Sequence, residues 1–402
     1  DEDSRGSLGT SVQLLAVGPQ DVVLSLNPQT TFFRAVYRRH TDFAVECFDV
    51  DVDVAFGQTV TLDVPRRGDV LADMFLEIQL PNLGIAGGAW ADAIGYVLLS
   101  RVRVRVDDLV VHDQERLWYD LTDRLLMPAG RLAGVDAMIG RGARLATDAA
   151  HTVVVPLKFA WCRGHYARPQ PLPIGGALAT QTRVRLDLTF ESLARCLVLP
   201  PGVAAPSGPA RVPAKLLSEQ IFVAPEEQAA LMRHPLTMLI ETAQDVDALS
   251  YQYDDAGTYD LRVARVDLHE LNLPVSLLAF VAYDENDATN GIFFRYLDCV
   301  AAATLLVNSA ERFAPRPGTY FSLVQPWQHC PRAQPDLVHA YSFALRAGER
   351  QPSGALNFGV LDKPTLRVDL QNTAGRAVKI KAFAYCYNWL TLERGALTSR
   401  FV

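Results

Sequence analysis

The chain has 402 residues, 49% of them hydrophobic, and 45 acidic against 38 basic side chains give it a formal net charge of -7. That length exceeds one ordinary core and suits two domains. A mildly acidic chain presents no global field for polyanions, which argues against direct nucleic-acid binding, and no apolar run reaches the length of a membrane span.

The opening DEDSRGSLG is acidic and small, without the basic and apolar regions of a signal peptide, and residues 1–26 are read as an N-terminal arm. Next comes NPQTTFFRAVYRRHT (27–41). Asn27-Pro28 is a turn signal. From Thr30 or Thr31 as N-cap, Phe33, Val36 and Tyr37 recur at helical spacing, with Arg34 and Arg38 beside them. Phe32, Phe33 and Tyr37 beside Arg38 and Arg39 are the parts of a docking arm: apolar rings to bury and guanidinium forks to pair with carboxylates.

Alternation then dominates. CFDVDVDVAF (47–56) puts Phe48, Val50, Val52 and Val54 on one face and Asp49, Asp51 and Asp53 on the other. The pattern continues through 59–65, 70–81, 100–108, 151–159 and 182–190, the period of half-buried antiparallel strands. In 100–108, Arg101, Arg103 and Arg105 form a basic row opposite in sign to the aspartates. Either water solvates these rows, or each meets opposite charge within the fold or across a subunit contact. Two helical inserts are expected, 114–127 and 224–235, the second with Pro225 as first helical residue.

The stretch 199–215 holds five prolines and two glycines and is read as a linker. Beyond it alternation resumes at 260–274, 302–308, 364–370 and 377–390. The expected organisation is therefore an arm (1–26), a first β domain (27–198), the linker (199–215) and a second β domain (216–402). FLEIQLP (75–81) and LHELNLP (268–274) echo each other half a chain apart. Such strand density suits sandwiches, among which eight-stranded jelly rolls are common.

No chemistry stands out. There is no G-x-S-x-G, P-loop or G-x-G-x-x-G. The six cysteines are scattered, without a CxxC, and read as buried free thiols rather than metal ligands. The eight histidines are single and read as surface or capped groups. YDENDATNG (283–291) is oxygen-rich but lacks the ligand order of a calcium loop. A lectin-like module would need that loop. A glycoside hydrolase would need two facing carboxylates; sequence does not assign such pairs, and no loop concentrates carboxylates with aromatics. No catalytic residue, metal or cofactor is assigned.

Five segments, in order, resemble the major capsid proteins of nucleocytoplasmic large eukaryotic DNA viruses. They are GPQDVVLSLNPQTTFFRAVYRRHTDFAVECF (18–48), RRGDVLADMFLEIQLP (66–81), SAERFAPRPGTYFSLVQPWQHC (309–330), YSFALRAGERQPSGALNFGVLDKPTLRVDL (341–370) and FAYCYNWLTLERG (383–395). Residues 110–260 match weakly apart from HPLTMLIE (234–241), and Gly359 stands where the family usually has Ser. The resemblance implies an all-β fold of two tandem eight-stranded antiparallel jelly rolls with short helical inserts, and a structural, non-enzymatic role in the virion. It implies homotrimers that form pseudo-hexagonal capsomers of an icosahedral shell. Implied partners are neighbouring capsomers, minor capsid and penton proteins, and an underlying membrane reached through other proteins, with no direct nucleic acid. A scaffold or minor capsid paralogue is the alternative. The candidate assembly contacts are Asn27, Pro28, Phe32, Phe33, Tyr37, Arg38, Arg39 and the two charged rows. The chain is compact for the family, which implies short outer loops.

Overall fold

The computed structural model describes residues 12–29, 39–162, 171–206, 211–252, 263–308, 310–332, 336–349, 351–371, 373 and 376–401. Residues 1–42 form one compact unit and 43–402 another. In the first, Asp21 accepts from the Gly18 amide at 2.8 Å, just before a short helix, Val22–Ser25.

The second unit is built on sixteen principal strands. The first eight are β1 (Phe43–Val54), β2 (Thr59–Asp63), β3 (Val70–Leu80), β4 (Leu99–Val106), β5 (Leu109–Glu115), β6 (His151–Pro156), β7 (Val184–Phe190) and β8 (Val212–Val223). They form two antiparallel sheets, β1-β8-β3-β6 and β2-β7-β4-β5. The second eight are β9 (Leu236–Gln252), β10 (Val263–Asp267), β11 (Pro274–Asp284), β12 (Val300–Val307), β13 (Ala310–Glu311), β14 (His339–Ser342), β15 (Thr365–Leu370) and β16 (Ala377–Glu393). Their sheets run β9-β16-β11-β14 and β10-β15-β12-β13. Adding eight to each strand of the first pair of sheets gives the second pair. Each half has the 1-8-3-6 and 2-7-4-5 order of a jelly roll, and the fold is a double jelly roll.

The strands form where alternation places them. In β7, Val184, Leu186, Leu188 and Phe190 are buried while Arg185, Asp187 and Thr189 face outward. β11 differs, being buried on both faces over most of its length. Its apolar run needs cover on two sides, and the first roll provides the second. β8 begins inside the stretch read as a linker. Residues 212–215 already pair with β1, and the ladder to β3 starts at Ala214, just past Pro213, whose missing N–H would break it.

Helices fill the connections: α1 (Arg116–Leu125) and α2 (Ala129–Ile139) between β5 and β6, and α3 (Pro225–Arg233) between the rolls. A helical segment, Tyr320–Val324 continuing as α4 (Gln325–His329), occupies the matching place between β13 and β14. One apolar core fills the first roll and extends under α1 to the outer face of the second roll's first sheet; a separate core fills the second roll.

Candidate assembly site

The junction between the rolls is the most elaborate polar site. On α1, Asp120 is fully buried and accepts from Arg124 at 2.7 Å, from Arg141, and from the Tyr296 hydroxyl of the second roll at 2.5 Å. Burial would raise its carboxyl, but the two guanidiniums hold it below the ordinary carboxylate range. Two residues on, Thr122 shares a 3.0 Å hydrogen bond with the Tyr385 hydroxyl of β16. The Trp118 ring sits 6.0 Å from that of Tyr385. Asp123 accepts from Lys158 at 2.5 Å and from the Tyr96 hydroxyl at 2.7 Å, and its carbonyl accepts from Arg332 of the second roll at 3.3 Å. Burial pushes the Lys158 ammonium below the usual lysine value despite Asp123 beside it. Nearer the sheet edge, Lys381 bridges Glu115 and, at 3.2 Å, Asp245.

The basic row borders this junction. Arg101 pairs with Asp113 at 2.5 Å and reaches Asp245 at 3.5 Å. Arg103 pairs with Asp113 at 2.7 Å, and Arg105 clamps Asp187 through two bonds of 2.8 and 3.0 Å. The acidic row lies on β1, in the other sheet. Asp49 pairs with Lys215 at 2.9 Å, Asp51 stands opposite Lys215 in the ladder, and Asp53 pairs with Arg211 at 3.2 Å. Both rows therefore meet opposite charge inside the fold, and not each other. Apart from the more buried Arg105–Asp187 clamp, these pairs are partly to half-exposed and contribute little individually.

Asn27 takes a left-handed φ of 55°, which asparagine tolerates, and Pro28 and Arg39 are exposed. Phe32, Phe33, Tyr37 and Arg38, with the helical turns expected around them, lie outside the described residues. In the oxygen-rich segment 283–291, Asp287 is engaged by Arg295 at 2.5 and 2.8 Å and Glu285 by Lys379 at 2.5 Å. Cys47 is exposed on β1, unlike the buried thiols expected. His112 and His339 are buried, not surface groups, because each packs against aromatic rings: His112 on Phe159 and Trp161, His339 stacked on Phe280 at 5.0 Å.

Comparison with known proteins decides the family. Residues 31–214 match the "Major capsid protein N-terminus" family and residues 227–397 the "Large eukaryotic DNA virus major capsid protein" family. The chain is similar to the major capsid protein of Pyramimonas orientalis virus, 29% identical with 96% of this chain and 98% of the relative covered. It is also similar to that of Phaeocystis pouchetii virus, 26% identical over 518 aligned positions, with 96% and 98% covered. The crystal structure of PBCV-1 VP54 superposes with a TM-score of 0.79 at 24% identity, over 92% of this chain and all of that one. The chain belongs to the major capsid proteins of large eukaryotic DNA viruses. It is a structural protein of the virion capsid. The 518 aligned positions against 402 residues here show that the Phaeocystis virus relative carries long insertions.

The capsid family's R-x-G-D turn now has a physical account. Arg66 donates to five carbonyls, those of Ile174, Gly175, Leu178, Ala179 and Thr182, at 2.5–3.0 Å. Gln220 of β8 accepts from the amides of Arg67 and Gly68 at 3.0 and 2.7 Å. A Cβ on Gly68 would stand 2.9 Å from the Gln220 Cβ. Asp69 accepts from the Val223 amide at 3.0 Å and from Gln228 of α3 at 2.7 Å. One tetrapeptide thus ties loop 174–182, the end of β8 and α3 together. In the NFG segment, a Cβ on Gly359 would lie 2.6 Å from the Asn272 carbonyl, so the usual Ser would require that carbonyl to move.

Proposed function

We propose that three copies of this chain close into a pseudo-hexagonal capsomer, and that such capsomers tile an icosahedral shell. The observation that carries this is the repeated strand order: two jelly rolls of the same topology, held side by side by a buried junction, give each chain two similar corners. Three chains then supply six. The coarser statement, a capsid protein that associates with copies of itself, follows from the family.

In this reading the first roll runs through Val223 and the second begins at Leu236, with α3 between them. Residues 27–41, with Arg38 and Arg39, form an arm that anchors to carboxylates of a neighbour or of a protein beneath the shell. The basic row sets the surface potential at the junction edge, and the acidic row that of the outer face of β1. Neighbouring capsomers, minor capsid and penton proteins are the partners, and an underlying membrane is reached through them. A net charge of -7 gives no support to direct contact with nucleic acid. No catalytic step enters the role.

The test is the solution mass of the purified chain by light scattering, followed by negative-stain imaging. The expected result is three times 44.2 kDa and six-cornered rings. A strict monomer at all concentrations overturns the reading. Arg38→Ala/Arg39→Ala should leave the monomer folded and weaken trimers or shells, most visibly at low salt, where the wild-type ion pairs are least screened. Normal assembly of that double variant under those conditions removes the arm from the proposal.

A further inference from the structure

The two rolls share a strand order but not the fate of one sheet face. In the second roll, Leu278, Phe280 and Ala382 point into that roll's own core. Their neighbours Leu277, Ala279, Phe383 and Tyr385 point the other way and join the core beneath the first roll's α1. Among the described residues of 43–402, the matching outer face of β1-β8-β3 has no such cover. There Phe75, Glu77, Lys215, Leu217 and Glu219 stay partly exposed while Met74, Leu76 and Leu216, on the inner face, are buried. Register aligns Asp49, Leu217 and Phe75 in one row across this face, with Asp51, Lys215 and Glu77 in the next.

The piece that covers the second roll's face is duplicated as well. In the first roll, α1 lies between the fifth and sixth strands and lays Trp118 against Tyr385. In the second roll, the segment Tyr320–His329 lies between the fifth and sixth strands. It is firmly mounted. Gln325 is buried, accepts from the Ser342 amide of β14 at 3.0 Å and donates to the Tyr320 hydroxyl at 2.9 Å. Yet its Leu323, Val324 and Trp327 are 40%, 40% and 76% exposed. A fixed element presenting a bare Trp is the form of an interface anchor. Charge agrees: Asp49, Asp51, Glu77 and Glu219 outnumber Lys215 on the open face, and Arg312 and Arg316, exposed before this segment, are opposite in sign to that excess.

We propose that these surfaces are the two sides of one contact between copies of this chain. The segment Tyr320–His329 of one copy, led by Trp327, seats on the outer face of β1-β8-β3 of the next, repeating between chains what α1 does within one. The contact is heterologous, so it closes into a ring when the rotation per chain is one third of a turn. It rests on the trimer reading and names the surfaces that reading leaves open.

The experiment uses two full-length variants, Trp327→Glu and Leu217→Lys, sized alone and then mixed, with thermal unfolding to confirm that each folds. Wild type is expected as trimer and each variant as folded monomer. The mixture should give dimers that grow no further. A dimer joins the intact helical segment of Leu217→Lys to the intact sheet face of Trp327→Glu, and both remaining surfaces are spoiled. A Trp327→Glu variant that trimerises like wild type overturns this contact and leaves the trimer reading standing. So does a mixture of folded variants that stays monomeric. A monomeric wild type overturns both.

Discussion

An ammonium buried as deeply as that of Lys158, 2% exposed, persists because Asp123, equally buried, faces it. Removing one member of such a pair strands the other charge. Asp123→Asn should therefore lower unfolding stability by about 3–5 kcal/mol, read as a shift in the urea midpoint at unchanged slope. Changing both, as Lys158→Met with Asp123→Leu, should recover most of that loss; if the double variant is as unstable as the single, the pair does more than balance charge. The buried histidines act through pH. Burial holds His112 neutral down to about 3 and His339 to about 4, against an ordinary value of 6.5. Both folded values are depressed, so their contribution is whole above pH 6.5. It is lost as pH falls from there toward 4 and 3, because the unfolded chain takes up protons that the folded one refuses. Each unit of separation is worth about 1.4 kcal/mol. His339→Phe, which keeps a ring against Phe280, should flatten the fall in stability between pH 6.5 and 4. Equal slopes for variant and wild type in denaturant titrations at pH 7.5, 5.5 and 4.5 would exclude His339 as a source of acid sensitivity.

Among the elements, the turn at Arg66 concentrates the most bonding in the fewest residues. A lysine there keeps the charge but offers three donors in no fixed plane where arginine offers five. Arg66→Lys should cost about 1.5–3 kcal/mol per charged bond lost, and should make loop 174–182 the first site cut in limited proteolysis. An unchanged cleavage pattern would mean the loop is held by other contacts. RRGD was legible in the sequence as a turn ahead of the strand at 70–81, but its bonding was not. Its carbonyl partners lie more than a hundred residues away, and no local rule points to them. Strands were legible because one face of each meets a core and the other water, which writes period two into β7 directly. β11 was legible only as an apolar run, since what buries its second face is another domain. The helix at 116–125 showed itself through leucines four apart. The helix at 129–139 did not, because Gly130 and Gly134 interrupt its apolar stripe. The segment Tyr320–His329 was visible only inside a family pattern, since Pro326, harmless at the start of α4, makes no local helix signal in mid-segment. The charged rows were legible as rows; their partners were not, since Asp49 meets a lysine 166 residues later.

At the scale of the molecule, two rolls of the same topology can unfold separately or together, and the shared core decides which. Leu277, Phe383 and Tyr385 of the second roll belong to the cluster that fills the first. Exposing either roll would therefore uncover apolar surface on the other, along with buried charges at Asp120 and Lys381. We expect one calorimetric transition for the two rolls, with calorimetric and van't Hoff enthalpies equal per cooperative unit. Two resolved transitions would show that the junction is weaker than the cores it joins. Assembly adds a second level of coupling. If copies bind in the folded state alone, the melting temperature must rise with protein concentration, because association draws the equilibrium toward the native form. Trp327→Glu exposes no core and breaks no bond among the described residues. Its melting temperature should therefore match that of the wild type at high dilution, yet stay flat as concentration increases. A variant that melts lower at every concentration would place Trp327 in the fold of the single chain. One that climbs in parallel with the wild type would show that copies associate through some other face.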